Sequence, residues 1–190
     1  VGALFCPDPS TRVGQGISRE RVLQGLRVAV PAPGSVTLPD GADMARELGP
    51  YLQPLRAAGA ETLVLPIDGI GLRERALTVL TEAFAQGAGL VASLEGPVDV
   101  YGLGDSIIGC LGGPGRTLQD AGGKYLLRAA NMARATAVAL PVPRLASGLI
   151  LCGSPGPAGA RAALAAAGLL AGPGGPAALP ELVRRYFPPL

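Results

Sequence analysis

An α/β fold, strands and helices alternating along the chain, is what this sequence predicts. Three observations predict it. Short apolar runs recur, each closed by proline or glycine, as strands are. Between them lie longer segments whose apolar residues return every three or four positions, the period of a helix. Glycine (29) and proline (19) make up about a quarter of the 190 residues and punctuate the alternation. Aromatics are scarce, and Ala and Leu supply most of the packing surface, so backbones can approach closely.

Residues 1–18 are polar and broken by Pro and Gly. Ser18–Gln24 reads as a short helix capped by Ser18, with Glu20 in its first turn. Leu26–Val30 alternates and stops at Pro31, which suits a strand. Pro31–Gly41 is turn-rich, with Val36-Thr37-Leu38 as an extended piece. Asp43–Ala58 reads as a helix broken or kinked near Gly49-Pro50, because proline removes a backbone donor. Glu61–Pro66 is a strand. Leu72–Gln86 is an amphipathic helix with Leu72, Ala76, Val79, Leu80 and Phe84 on one face. Gly89–Leu94 is a strand, and Pro97–Gly104 a linker-like turn region.

The second half repeats the alternation. Ser106–Leu111 is a strand, followed by a helix from about Leu118 to Arg134. Thr136–Leu140 and Gly148–Cys152 are strands able to pair antiparallel across the intervening loop. Pro157–Leu170 is an Ala-rich helix with Pro157 in its first turn. Pro180–Phe187 is a short terminal helix. Leu55-Arg56-Ala57-Ala58 and Leu127-Arg128-Ala129-Ala130 each precede a strand ending in Leu-Pro, the trace of two diverged copies or a coincidence of composition.

Composition excludes several function classes. Net charge is +2, with no basic run and no interleaved aromatics, so no nucleic-acid footprint is expected. The longest apolar stretch, Ala160–Gly172, is too short to span a bilayer, and no signal-peptide pattern opens the sequence. Cys6, Cys110 and Cys152 are too widely spaced for a disulfide framework or a metal knuckle, and are expected as reduced cytoplasmic thiols. Histidine is absent, which removes the commonest general base and metal ligand together. No cofactor and no catalytic set is expected.

The remaining chemistry would rest on loops and scattered side chains. Gly112-Gly113-Pro114-Gly115-Arg116-Thr117 follows a strand and opens a helix, so Gly113, Gly115, Arg116 and Thr117 are candidates for holding a phosphate on backbone amides. Gly153-Ser154-Pro155-Gly156-Pro157 has the same layout. Loop 112–117 lacks the Gly-Lys-Ser/Thr ending of a P-loop and Pro114 removes a donor, so in a chain this rich in glycine plain turn chemistry is the better explanation of both loops. Asp40, Asp43 and Glu47 complement a helix N-terminus, and Asp99 and Asp105 flank a loop. Cys110 precedes a Gly-rich loop without a His partner, and Lys124, the single lysine, reads as a surface charge.

Two stretches resemble a known family. One runs Ile107-Ile108-Gly109, Pro114-Gly115-Arg116-Thr117, Ala121-Gly122 and Leu126-Leu127-Arg128-Ala129-Ala130-Asn131; it continues through Ser147-Gly148-Leu149-Ile150-Leu151-Cys152-Gly153 to an Ala-rich helix. The other is Pro33-Gly34-Ser35-Val36-Thr37-Leu38 followed by Met44-Ala45-Arg46-Glu47-Leu48-Gly49. This order resembles the bacterial microcompartment shell domain, in the circularly permuted form of ethanolamine- and propanediol-utilisation compartments. The resemblance covers residues 33–49 and 106–170. Residues 50–104 then stand as an insertion or as a degenerate first copy.

The resemblance implies an α+β sandwich of the ferredoxin-like kind. It divides the chain into an extension (1–25), an α/β unit (26–104), a shell-like domain (105–175) and a tail (176–190). It implies a cytoplasmic structural protein that tiles as hexamers or pseudo-hexameric trimers with other shell proteins. Arg144, Leu145, Ala146, Ser147 and Gly148 would then line a central pore for small metabolites. The alternative is an α/β domain binding a phosphorylated metabolite or nucleotide at loop 112–117 or 153–157.

Overall fold

In the computed structural model the described residues are 18–38, 41–67, 70, 73–96, 125–143, 147–172 and 174–176. They form five strands: β1 Arg27–Pro31, β2 Glu61–Leu65, β3 Leu90–Glu95, β4 Thr136–Pro141 and β5 Gly148–Gly153. The helices are α1 Arg19–Leu23, α2 Met44–Ala57, α3 Arg73–Ala85, α4 Leu127–Ala130 and α5 Pro157–Leu170. The strands make one mixed sheet in the order β2-β1-β3-β5-β4, so the α/β class holds. β2, β1 and β3 run parallel; β5 is antiparallel to both β3 and β4. Residues 26–104 and 105–175 therefore both contribute strands to a single sheet, joined where β3 meets β5.

Register sorts the side chains. Leu90, Ala92 and Leu94 stand opposite Gly153, Leu151 and Leu149, while Val91, Ser93 and Glu95 stand opposite Cys152, Ile150 and Gly148. Every residue of β3 is buried, as expected for a central strand covered on both faces. α1, α2 and α5 pack together on one face, and α3 and α4 on the other. The chain moves outward from β1 to β2, then back across β1 to β3. That reversal places α2 and α3 on opposite faces, because crossovers share one hand.

Several sequence expectations are corrected. α2 is one helix through Pro50 and Pro54 rather than two pieces. Its apolar face, Met44, Leu48, Tyr51, Leu52 and Leu55, stays buried along the whole length, which outweighs the missing donors. Asp43 caps it, accepting from the Ala45 amide at 3.4 Å. The helix expected to reach Arg134 ends at Ala130. Asn131–Arg134 form a turn in which Arg134 takes a left-handed φ of 54°, and this aims the chain into β4. The extended piece Val36-Thr37-Leu38 is present and makes one isolated bridge, from Thr37 to Asp43. The β4–β5 hairpin and α5 lie where the periodicity placed them. The strand at 106–111, residues 118–124 of the expected helix and the helix at 180–187 fall outside the described residues.

α5 sits against the sheet on small side chains. Gly159, Ala162, Ala163, Ala165, Ala166 and Ala167 are buried. A Cβ at Gly153 would collide with the Gly159 carbonyl, and one at Gly159 with the Ser154 carbonyl. Both obstacles are backbone and cannot rotate away. Gly49, within α2, has nothing within 4 Å of its added Cβ. Gly159→Ala is thus expected to destabilise the protein by about 2 kcal/mol or more through overpacking. Gly49→Ala should stabilise it by about 0.5–1 kcal/mol through helix propensity. Urea unfolding of the two variants checks both signs.

Candidate functional site

Two edges of the sheet carry polar groups. The first lies at the C-terminal ends of the parallel strands. Between β1 and β3 the strand order reverses, the position at which open α/β sheets usually take their ligands. β1 delivers the Ala32–Leu38 loop to this edge. β3 delivers Glu95, which is only 5% exposed.

The Glu95 carboxylate is filled by donors. Oε1 accepts from the Ser93 hydroxyl at 2.5 Å and the Leu126 amide at 2.7 Å, and Oε2 from the Tyr125 amide at 2.9 Å. The Leu127 amide lies 3.2 Å from both oxygens. Burial pushes the Glu95 carboxyl above its ordinary pKa, while the Ser93 hydroxyl and the three amides pull it back. Burial also pushes the Cys152 thiol up to about 12, and the Glu95 charge adds to the effect. Cys152 is accordingly a protonated, buried side chain of β5.

The segment that Glu95 holds reaches the neighbouring loops. The Tyr125 hydroxyl lies 3.4 Å from the Thr37 carbonyl, a long contact. Arg128 Nη2 donates to the Ile70 carbonyl at 3.1 Å. Asp43 Oδ1 also accepts from the Gly34 amide at 3.1 Å, and the Ser35 hydroxyl donates to the Ala32 carbonyl at 2.7 Å.

The opposite edge holds a cavity of about 310 Å³. Arg21 and Val22 of α1, Leu26, Gly89, Ser154 and the start of α5 line it. From α5 come Ala158, Gly159, Arg161 and Ala162. Gly156, at φ 93°, precedes α5 and offers no capping side chain. Pro157 occupies the first turn, and no acidic residue stands there. The cavity wall therefore combines two arginines, a serine, the positive end of a 14-residue helix and a few apolar side chains, with no carboxylate.

Of the residues singled out from sequence, Ser147 and Gly148 lie at the first edge, half-buried, with Gly148 in register with both Glu95 and Pro141. Arg144, Leu145 and Ala146 lie outside the described residues, as do Gly113, Gly115, Arg116, Thr117, Cys110 and Lys124. Loop 153–157 lies beside the cavity. Sequence reasoning missed Glu95, Arg21 and Arg161. Glu95 had one signal: it closes an otherwise uncharged strand ahead of Gly96-Pro97. No group of three or more potential metal ligands occurs among the described residues. No helix among them is long and apolar enough to cross a membrane.

Fold and site define a three-layer α/β protein, with Glu95 bound by four donors at one end of the sheet and two arginines beside a cavity at the other. Comparison with family models, curated proteins and solved structures finds no match for this chain.

Glu95→Gln is expected to cost about 2 kcal/mol or more, because the glutamine NH2 replaces an oxygen that accepts from buried amides. The pH dependence has a definite sign. A folded pKa above the unfolded one means that the folded state binds the Glu95 proton more tightly. That contribution is full below the ordinary glutamate pKa and is lost as pH rises through the raised value. The stability advantage of the natural chain over Glu95→Gln should therefore shrink with rising pH across that window. Parallel urea titrations from acid to neutral pH measure it.

Proposed function

We propose that this chain binds a small anionic metabolite, phosphorylated or carboxylated, in the cavity at the start of α5. The observation that carries the reading is the pairing of Arg21 and Arg161 with the first-turn residues Ala158 and Gly159 around one cavity that has no acidic lining. Backbone amides at a helix start and guanidinium groups are the two commonest phosphate donors in proteins. Val22, Leu26 and Ala162 offer an apolar wall for the ligand's carbon body. A volume of about 310 Å³ fits a small metabolite and is tight for a dinucleotide. Titration with inorganic phosphate, a sugar phosphate and a small dicarboxylate, read by thermal shift, tests the proposal. A ligand at ten times its Kd should add about 1.4 kcal/mol of stability. The gain should disappear in Arg21→Ala/Arg161→Ala. An equal gain in that double variant, or none at tens of millimolar ligand, would sink the idea.

A second proposal follows the motif order: a structural tile of a bacterial microcompartment shell, with Arg144–Gly148 at a pore. The observation favouring it is edge strand β4. Thr136–Pro141 carries no charged side chain, and no strand lies beyond it among the described residues. Uncharged edges invite pairing with another chain. Native mass spectrometry should then show hexamers or trimers. A monomer at every concentration up to the millimolar range would rule the tile out.

A further inference from the structure

We propose that Glu95 is a latch that couples the Tyr125–Leu127 segment to the loops beyond β1 and β2, so that these three pieces at this end of the sheet open as one unit. The argument starts from connectivity. Glu95 ends β3, and the amides of Tyr125, Leu126 and Leu127, thirty residues further on, donate to its carboxyl oxygens. One side chain thus ties the end of β3 to the segment that leads into α4, much as a crosslink would.

This segment is also the contact point for the two loops. Arg128 donates to the carbonyl of Ile70, in the connection between β2 and α3. Tyr125 reaches the carbonyl of Thr37, in the connection between β1 and α2. Leu126, Ile70, Ile67, Val36 and Leu38 all belong to the one buried core, so the three pieces share apolar burial as well as hydrogen bonds. Ser93, 1% exposed, fixes the carboxylate from below. Such a cluster opens cooperatively, at a free energy below that of global unfolding.

Hydrogen exchange of the full chain tests the coupling. In Glu95→Gln the amides of Tyr125–Ala130 should exchange at least tenfold faster. The amides of Ser35 and Leu38, held by Ala32 and Ala42, and of Ile67, held by Leu65, should accelerate with them. Amides within α5 should keep their natural rates. Acceleration confined to 125–127 would overturn the coupling, and equal acceleration through α5 would show that Glu95 supports the whole fold instead. Should Glu95→Gln not fold, Ser93→Ala removes one donor to the carboxylate and should give the same pattern at smaller amplitude. Tyr125→Phe should loosen Ser35 and Leu38 alone, and no change there would remove Thr37 from the unit.

Discussion

A carboxylate taken out of water at the end of the central strand organises the upper half of this molecule. A carboxyl group as buried as Glu95 is tolerated only where hydrogen-bond partners replace its hydration. Here four groups do so, and three of them are consecutive backbone amides of a segment thirty residues further on. Those amides would themselves be orphaned without it, because α4 begins at Leu127 and Leu126 brings no capping side chain. Each partner thus removes the other's desolvation cost. α4 leads straight into β4, so the position of the outermost strand on that side depends on the same contact as well as on its pairing with β5.

This economy decides which edge of the sheet is free to bind something. The strand-order rule points to the C-terminal ends of β1 and β3. At that edge, however, several of the described polar groups are consumed internally. Gly34 is held by Asp43, Ser35 by Ala32, Ile70 by Arg128, and Glu95 by four donors. The other edge differs in kind. The two arginines of its cavity are solvent-exposed, and the cavity has no acidic side chain to neutralise them. Charge unmatched among the lining residues and a concave surface coincide there.

The legible part of the fold was the part written in local periodicity. α5 begins at Pro157 and ends at Leu170 because proline sets its first turn and alanine its propensity, both visible in the sequence. The β4–β5 pair could be read because seven residues separate two apolar runs. Sheet order could not be read, since nothing local states that β3 lies between a parallel and an antiparallel neighbour. The continuity of α2 through two prolines was hidden for the same reason: its buried face gains from partners distant in sequence. Glu95 was passed over because its role is defined by amides thirty residues away, which leave no mark on the sequence around it. Arg21 and Arg161 sit 140 residues apart and become neighbours only once α1 packs on α5.

The helix starts show why the cationic edge is more than a solvated surface. α1 begins at Ser18, whose hydroxyl accepts from the Arg21 amide, and α2 at Asp43; the amides at the start of α4 rest on Glu95. Each of these positive helix ends meets an oxygen acceptor supplied by the chain. α5 is longer than α1 or α4 and begins on Gly156-Pro157, with no capping side chain and no acid in its first turn. What lines the cavity beside it is Arg21 and Arg161. Positive side chains near a positive helix end repel it mildly, and the repulsion turns into attraction on both sides once an anion lies between them. Gly159 sharpens the point, since its missing side chain lets the first turn press against the Ser154 carbonyl and fixes the direction of the helix axis toward the cavity wall. A chain that satisfies the starts of α1, α2 and α4 internally, yet gathers cations at this one, has the electrostatics that the proposed anion site requires.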